Sequence, residues 1–405
     1  MNILYVTHEF PFPAVAGHHL RTAEIISALP PGARVHLVGY SEKPCDPHAR
    51  LPGIAGFDVV PALVRIRRRP FALAKALGKA LLTHRPYSIA KYPVKAMQAP
   101  IDRHCRQSAP DVVITSVFTR HMVPPGPWKV ILDVHNIEHA LWQGFAPTLP
   151  AARAAFVRRE ARHLQRIEHQ AWAGADGIIA ICAEDAAIIG RASPGTPVGH
   201  VPVHIGGDHA PGRPAPFDVG MIGVWSWAPN AAAIADFARL AMPALAQAGL
   251  RVRIAGRGLD GETKARLTRW GADCPGHVPD IGDFYRSVAM IAAPYRLGGG
   301  VRMKVAEALG QGVPVIGTKL AFRGIGPGVP PGWIVEDVAD LPAALIRHAS
   351  DPPAVPPGLG AAHSRDRQRR AIRTLFRAAG VPGADAAPDH PAGPGSPGTK
   401  STLFT

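Results

Sequence analysis

Cysteine is scarce in this chain. Its four copies, Cys45, Cys105, Cys182 and Cys274, stand far apart and form no C-x-x-C pair. That spacing argues against a disulfide scaffold and a zinc ribbon, and it fits a reducing compartment. Long apolar runs are missing as well. The opening MNILYVTHEFPFP has no basic n-region and an apolar run of about five residues, where a cleaved signal peptide needs about 7–15. No stretch approaches the roughly 18 apolar residues of a membrane span. The most apolar region, AWAGADGIIAICAEDAAIIG, is interrupted by Asp176 and Glu184. A cytoplasmic protein is therefore expected. No G-x-G-x-x-G follows the first strand-like run, which argues against an NAD(P) dehydrogenase. No D-x-D-like pair stands out as a metal-ligand set, so no metal is expected in the site.

What is present is enough apolar residue, 47% of 405, to build packed cores in two domains. Asn2–Thr7 reads as a strand, followed by a Pro-rich loop, Gly17 and helical spacing from about His19 to Leu29. Short β-branched runs recur at 111–116, 129–133 and 176–181, with a helix-like segment at 183–189. Near-continuous apolar strands alternating with helices indicate parallel sheet covered on both faces. The segment 206–216, GGDHAPGRPAP, has three Gly and three Pro in eleven residues and reads as a linker. Alternation then restarts, with strands at 217–222, 251–255, 290–293 and 313–316 and helices at 230–248 and 301–309. The expected division is an N-terminal Rossmann-like domain over 1–205, the linker 206–216, a second such domain over 217–363, a basic helix over 364–380 and a disordered Pro/Gly/Ser-rich tail over 381–405.

The segment 293–317, APYRLGGGVRMKVAEALGQGVPVIG, carries the most chemistry. A strand ends at Pro294, and the loop Gly298, Gly299, Gly300 leads into a helix bearing Arg302, Lys304 and Glu307. Glycines let a ligand approach the backbone and expose consecutive N–H groups. A helix start and two cations add positive charge, which together suit a diphosphate. Glu307 suits paired ribose hydroxyls, which donate to a carboxylate. The plain alternative is a βα turn with solvated Arg and Lys.

In the order GGG-x-R-x-K-x-x-E-A followed by G-x-P-V-I-G-T, this segment resembles the donor-binding motif of retaining family-4 glycosyltransferases of the GT-B fold. Other segments resemble the same family in the expected order: the first loop PFPAVAGHHLR with Gly17, the strand-end loop LDVHNIEHALW with His135, the donor-domain loop VGMIGVWSWAPN, and the nucleobase-side segments at 276–280 and 283–285. The resemblance implies an α/β GT-B architecture of two facing Rossmann-like domains with a C-terminal return helix. It implies retaining transfer from a nucleoside-diphosphate sugar to a saccharide or lipid-linked saccharide, in polysaccharide or surface-glycan assembly, with no cofactor. Three positions depart from the family pattern. Gly299 stands eight residues before Glu307, where a second glutamate is usual; GVWSWAPN lacks the usual Arg and Lys; Ala16-Gly17 replaces a Gly-Gly pair.

His135 follows a strand, at the end of the sheet where open α/β folds bind ligands. By resemblance it hydrogen-bonds the donor sugar or orients the acceptor; the plain alternative is a loop His bonded to backbone. Glu138 receives no base role, because the leaving diphosphate can itself accept the acceptor's proton. Catalysis then rests on electrostatic stabilisation of the leaving group by Arg302 and Lys304.

The net charge of +15 is unevenly spread. Val59–Ile101 contains no acidic residue but holds Arg65, Arg67, Arg68, Arg69, Lys75, Lys79, Arg85, Lys91 and Lys95. Within it, 71–83 reads as an amphipathic helix, with Lys75 and Lys79 on one face and Phe71, Leu73, Leu77 and Leu81 facing the core or lipid. Two readings stay open here: an anionic membrane surface bound through 59–101, making the protein peripheral at the inner face of the cell membrane, or a solvated basic face. No groove-reading or base-stacking motif accompanies the charge, so no nucleic-acid partner is expected. A sugar-nucleotide epimerase on the same fold is the alternative to a glycosyltransferase.

Overall fold

The computed structural model describes residues 1–14, 16–43, 53–63, 69–83, 85–206 and 215–384. They form two compact units, Met1–Val201 with residues 368–384, and Pro202–Arg367. The first is built on seven parallel strands: β1 (Asn2–Thr7), β2 (Arg34–Ser41), β3 (Ile54–Pro61), β4 (Val112–Thr115), β5 (Lys129–Val134), β6 (Gly177–Ala180) and β7 (Val198–His200). Their order is β3-β2-β1-β4-β5-β6-β7.

Successive side chains of each strand enter opposite layers. Ile3 and Tyr5 join Val35, Leu37, Ile114, Ile131 and Ile179 under Ile25 and Ile26 of the helix Gly17–Ala28. Leu4 and Val6, one residue out of phase, join Val38 and Val113 under Met97, Ile101 and Cys105 of the helix Val94–Gln107. Burial on both faces is why these strands read as unbroken apolar runs. Each buried aliphatic side chain contributes about 1.5–3 kcal/mol. The helix Arg365–Ala378 adds Ile372, Leu375 and Phe376 to the first of these layers, leaving Arg365, Arg367, Arg369, Arg370 and Arg377 exposed.

The second unit holds six parallel strands: β8 (Phe217–Val224), β9 (Val252–Arg257), β10 (Asp273–Gly276), β11 (Val288–Ala293), β12 (Val315–Thr318) and β13 (Ile334–Val335). Their order is β10-β9-β8-β11-β12-β13.

Several expected boundaries move. Residues 202–205 fall in the second unit, where Ile205 N–H donates to the His363 carbonyl and His363 Nδ1 bonds the Val203 carbonyl. Val381 and Ala384 are buried in the first core, so a disordered tail does not begin at 381; residues 385–405 lie outside the described residues, as do 207–214 of the expected linker. The single helix expected over 230–248 is instead Ala228–Asp236, a π-turn over Phe237–Ala241 and Met242–Gln247. Pro243 has no N–H to continue the α-helical ladder, and Met242 N–H reaches back to the Phe237 carbonyl.

Candidate functional site

In each unit the strand order reverses at one point, and a pocket opens there at the carboxyl ends of the strands. In the first unit the reversal lies between β1 and β4. The pocket there, about 320 Å³, is lined by His8, Ser116, Asp133, His135, Asn136 and Glu138 among others. In the second unit the reversal lies between β8 and β11. A pocket of about 260 Å³ there is lined by Met221, Ile222, Ile291, Ala293, Tyr295 and Lys304 among others.

The first pocket is organised around Asp133, the fifth residue of β5 and 4% exposed. Its Oδ2 lies 2.8 Å from His135 Nε2 and accepts the Tyr5 hydroxyl from β1. Burial works to raise the Asp133 pKa, but the charge and hydrogen bond of His135, the Arg21 charge and the Tyr5 hydroxyl outweigh it and hold the carboxyl below its ordinary value. Burial, and next to it Asp133, push the Tyr5 phenol well up, so Tyr5 stays a donor. His135 is thus a strand-end imidazole fixed by a buried carboxylate, as a positioned hydrogen-bonding group requires.

Glu138 opens the helix Glu138–Phe145, whose N-cap, Ile137, offers no capping side chain. Glu168, from the helix Ala151–Ala173, takes that task. Its carboxylate accepts the N–H groups of Glu138 and His139 at 2.8 and 2.9 Å, and lies 2.6 Å from His139 Nδ1. An anion at a helix N-terminus is favourable. Placed beside it, Glu138 is pushed up to about 8 by burial and by the Glu168 charge, and so holds a proton at neutral pH. Sequence reading left Glu138 without a role and missed Glu168; thirty residues separate the pair, and no local signal marks it.

The first loop is a histidine cluster rather than a plain glycine turn. Gly17 starts the helix Gly17–Ala28 behind an extended Ala16 with no side-chain cap. Glu9 Oε2 lies 2.9 Å from His18 Nε2 and 3.3 Å from His19 Nε2. Burial, followed by the His18 charge, pushes His8 well below its ordinary value, so it is neutral.

In the second unit, Gly298 has φ +121° and Gly300 φ +60°. A Cβ on Gly298 would meet the Arg302 guanidinium at 2.6–2.9 Å, so the glycine makes room for that side chain. Arg302 is 5% exposed, donates to the Gly299 carbonyl at 2.9 Å and lies 5.4 Å from the Tyr295 ring centre. Arg302, expected as a cation for a diphosphate, is folded back against the glycine loop. It is also the N-cap of the helix, which runs Met303–Gly310 rather than from 301.

Lys304 and Glu307 stand one turn apart on that helix, paired at 2.8 Å. The Tyr285 hydroxyl donates to Glu307 Oε2 at 3.1 Å, and burial and Glu307 push its pKa well up. Tyr285, from the segment expected beside a nucleobase, supports this carboxylate from the helix Ile281–Arg286. Glu307 Oε1 is buried and has no partner among the described residues. Lys304 and Glu307 are thus paired on the helix that follows the glycine loop.

In the basic stretch, Arg65, Arg67 and Arg68 lie outside the described residues. The helix Pro70–Thr83 buries Ala76 and Ala80, while Phe71 and Leu82 are 91% and 85% exposed. Phe71 and Leu81 therefore do not enter the core, and Lys79 departs from Lys75 by donating to the Tyr92 carbonyl at 3.0 Å. Among the described residues no helix is long and apolar enough to cross a membrane.

None of the curated proteins compared with the chain matches it. Residues 216–351 match the family Glycosyl transferases group 1. Among solved structures, the chain is similar to sucrose-phosphate synthase from Thermosynechococcus elongatus, with a TM-score of 0.61, 14% identity and coverage of 94% of this chain and 96% of that one. It is similar to WaaG, a glycosyltransferase involved in lipopolysaccharide biosynthesis, with a TM-score of 0.55, 14% identity and coverage of 96% and 100%. It is similar to Anabaena HepE, solved in complex with UDP and glucose, with a TM-score of 0.52, 15% identity and coverage of 95% and 98%. The segment 216–351 thus matches glycosyl transferases group 1, and the chain has the GT-B fold of these solved structures.

Proposed function

We propose that the protein transfers a sugar from a nucleoside-diphosphate sugar to a saccharide hydroxyl, with retention of configuration and without a metal ion, in polysaccharide or surface-glycan assembly. The observation that carries the donor half is Glu307. One of its oxygens is held by Lys304 and Tyr285, and the other is buried with no partner among the described residues. A ribose hydroxyl supplies the missing donor. The Lys304 ammonium and the N–H groups of the Gly298–Gly300 loop take the diphosphate, and Arg302 keeps that loop in shape. As the sugar–phosphate bond breaks, negative charge grows on the diphosphate, and Lys304 stabilises it. The diphosphate oxygen takes the proton from the attacking hydroxyl, so no protein base is consumed. In the first unit, His135, oriented by Asp133, is the group offered to hydrogen-bond a saccharide.

A thermal-shift and turnover panel of nucleotide-sugars tests this reading, with UDP as the first nucleotide because HepE was solved with it. Stabilisation by one nucleoside diphosphate is expected, lost in Lys304→Ala and Glu307→Ala. No stabilisation by any nucleotide or nucleotide-sugar sinks the reading, and unaltered binding and activity in both variants sinks the site assignment.

The proposal includes contact with an anionic membrane. Supporting it, Phe71 and Leu82 are almost fully exposed and share the outward face of their helix with Lys75, while Ala76 and Ala80 face the core. Aromatic and aliphatic side chains flanked by cations suit the interface of an acidic leaflet. Flotation with phosphatidylglycerol vesicles at low salt is expected to carry the protein, and Phe71→Ser with Leu82→Ser to release it. Equal flotation of parent and variant would reject the assignment of this helix.

A further inference from the structure

The sequence shows no metal-ligand motif, yet the fold brings three ligand residues to one point away from both pockets. His36 comes from β2, Asp58 from β3 and His104 from the last turn of the helix Val94–Gln107. His36 Nε2 and His104 Nε2 approach the same carboxylate oxygen, Asp58 Oδ2, at 2.9 and 3.0 Å. The three ligand atoms lie within 4.8 Å of one another. Bonds of about 2.0–2.1 Å to a tetrahedral ion place ligand atoms about 3.3 Å apart, close to the 2.9 and 3.0 Å between each imidazole nitrogen and the carboxylate oxygen.

The surroundings favour a cation over a plain hydrogen-bonded trio. The two imidazole rings lie 3.4 Å apart at 32°. Protonating both would stack two like charges, whereas a divalent ion lets two neutral rings present their lone pairs to a single centre. Gly56 pairs with His36 across β2 and β3, and a Cβ there would come within 2.8 Å of His36 Nδ1, so the missing side chain keeps the ring's place. Arg103, the other charged group on this carboxylate, holds Oδ1 and leaves Oδ2 turned to the histidines.

We propose that His36, Asp58 and His104 form a structural site for a divalent transition metal, of which Zn²⁺ is the natural occupant by ligand type. The ion would tie the edge strand β3 and the helix Val94–Gln107 to β2, with one coordination position left for water.

The test uses the full chain, dialysed against EDTA and titrated with ZnCl₂ in a calorimeter, with the melting temperature followed in parallel. One Zn²⁺ per chain and a higher melting temperature are expected. His104→Ala, on a half-buried helix end, should weaken binding by more than about 100-fold, since losing even an outer-shell partner costs about 10–100-fold. Co²⁺ should give a visible ligand-field spectrum in the parent that Asp58→Asn and His36→Gln abolish, which keeps the test decisive even where a variant folds poorly. Retention of stoichiometric, stabilising Zn²⁺ in His104→Ala, or its loss only in Glu9→Gln, where Glu9 meets His18 and His19, overturns the proposal.

Discussion

The two pockets occupy equivalent places in their sheets but are built from opposite materials. The first is crowded with titratable groups, His8, Asp133, His135, Glu138 and Glu168, each tied to another. The second has mostly apolar walls and one cation, Lys304, from the helix that follows the glycine loop. The difference separates two tasks. A pocket of coupled acids and imidazoles holds its groups in fixed orientations, and small geometric errors there are costly. A glycine loop at a helix start with one half-buried cation grips an anion, and its failures appear as lost affinity.

That division is most exposed to failure at Asp133. Asp133→Ala removes the anchor of both His135 and Tyr5, and should cost about 3–5 kcal/mol of stability in urea unfolding and at least about 100-fold in turnover. Nucleotide affinity should stay at the parent level. A variant that turns over normally but loses nucleotide would reverse the assignment of the pockets.

Lys304→Ala should do the opposite. Losing a charge-assisted contact of about 1.5–3 kcal/mol weakens nucleoside-diphosphate binding by about 10–150-fold in calorimetry, with little change in the urea midpoint. The smallest effect concerns protons. Between about 4.5 and about 8 the folded chain keeps a proton on Glu138 that the unfolded chain releases, so this group lowers stability as pH rises through that window. His8 acts in the other sense as pH falls below its ordinary 6.5, because the unfolded chain then takes a proton the folded one refuses. The difference between parent and Glu138→Gln isolates the first effect: their urea midpoints should diverge as pH rises from 4.5 to 8 and run parallel above. Parallel midpoints throughout would mean Glu138 is not perturbed.

How much of this could be read from residues depends on chain distance. Lys304 and Glu307 were legible because three residues along a helix place side chains on one face. Arg302 was legible as a charge but not in direction, since only the fold shows that Gly298 opens a place for its guanidinium. The strand β2 escaped notice because His36 and Gly39 break its apolar run, and β10 because it contains Pro275. The helix Pro70–Thr83 was found, but its orientation was not. Small alanines allow close approach to the rest of the unit, and that packing, rather than hydrophobicity, turned Phe71 outward.

By itself the sequence determined what depends on near neighbours: the parallel α/β alternation, the glycine loop with its Lys and Glu, the acid-free basic stretch, and a strand ending in His135. Tertiary structure alone decided what depends on distant partners. Tyr5 meets Asp133 across 128 residues, Glu168 caps a helix from another helix, and His36, Asp58 and His104 converge from three elements. Local patterns follow the period of a single helix or strand, and that period is written in adjacent residues. Convergence of distant side chains is set by strand order and by which layer each face enters, and neither is encoded in any one segment.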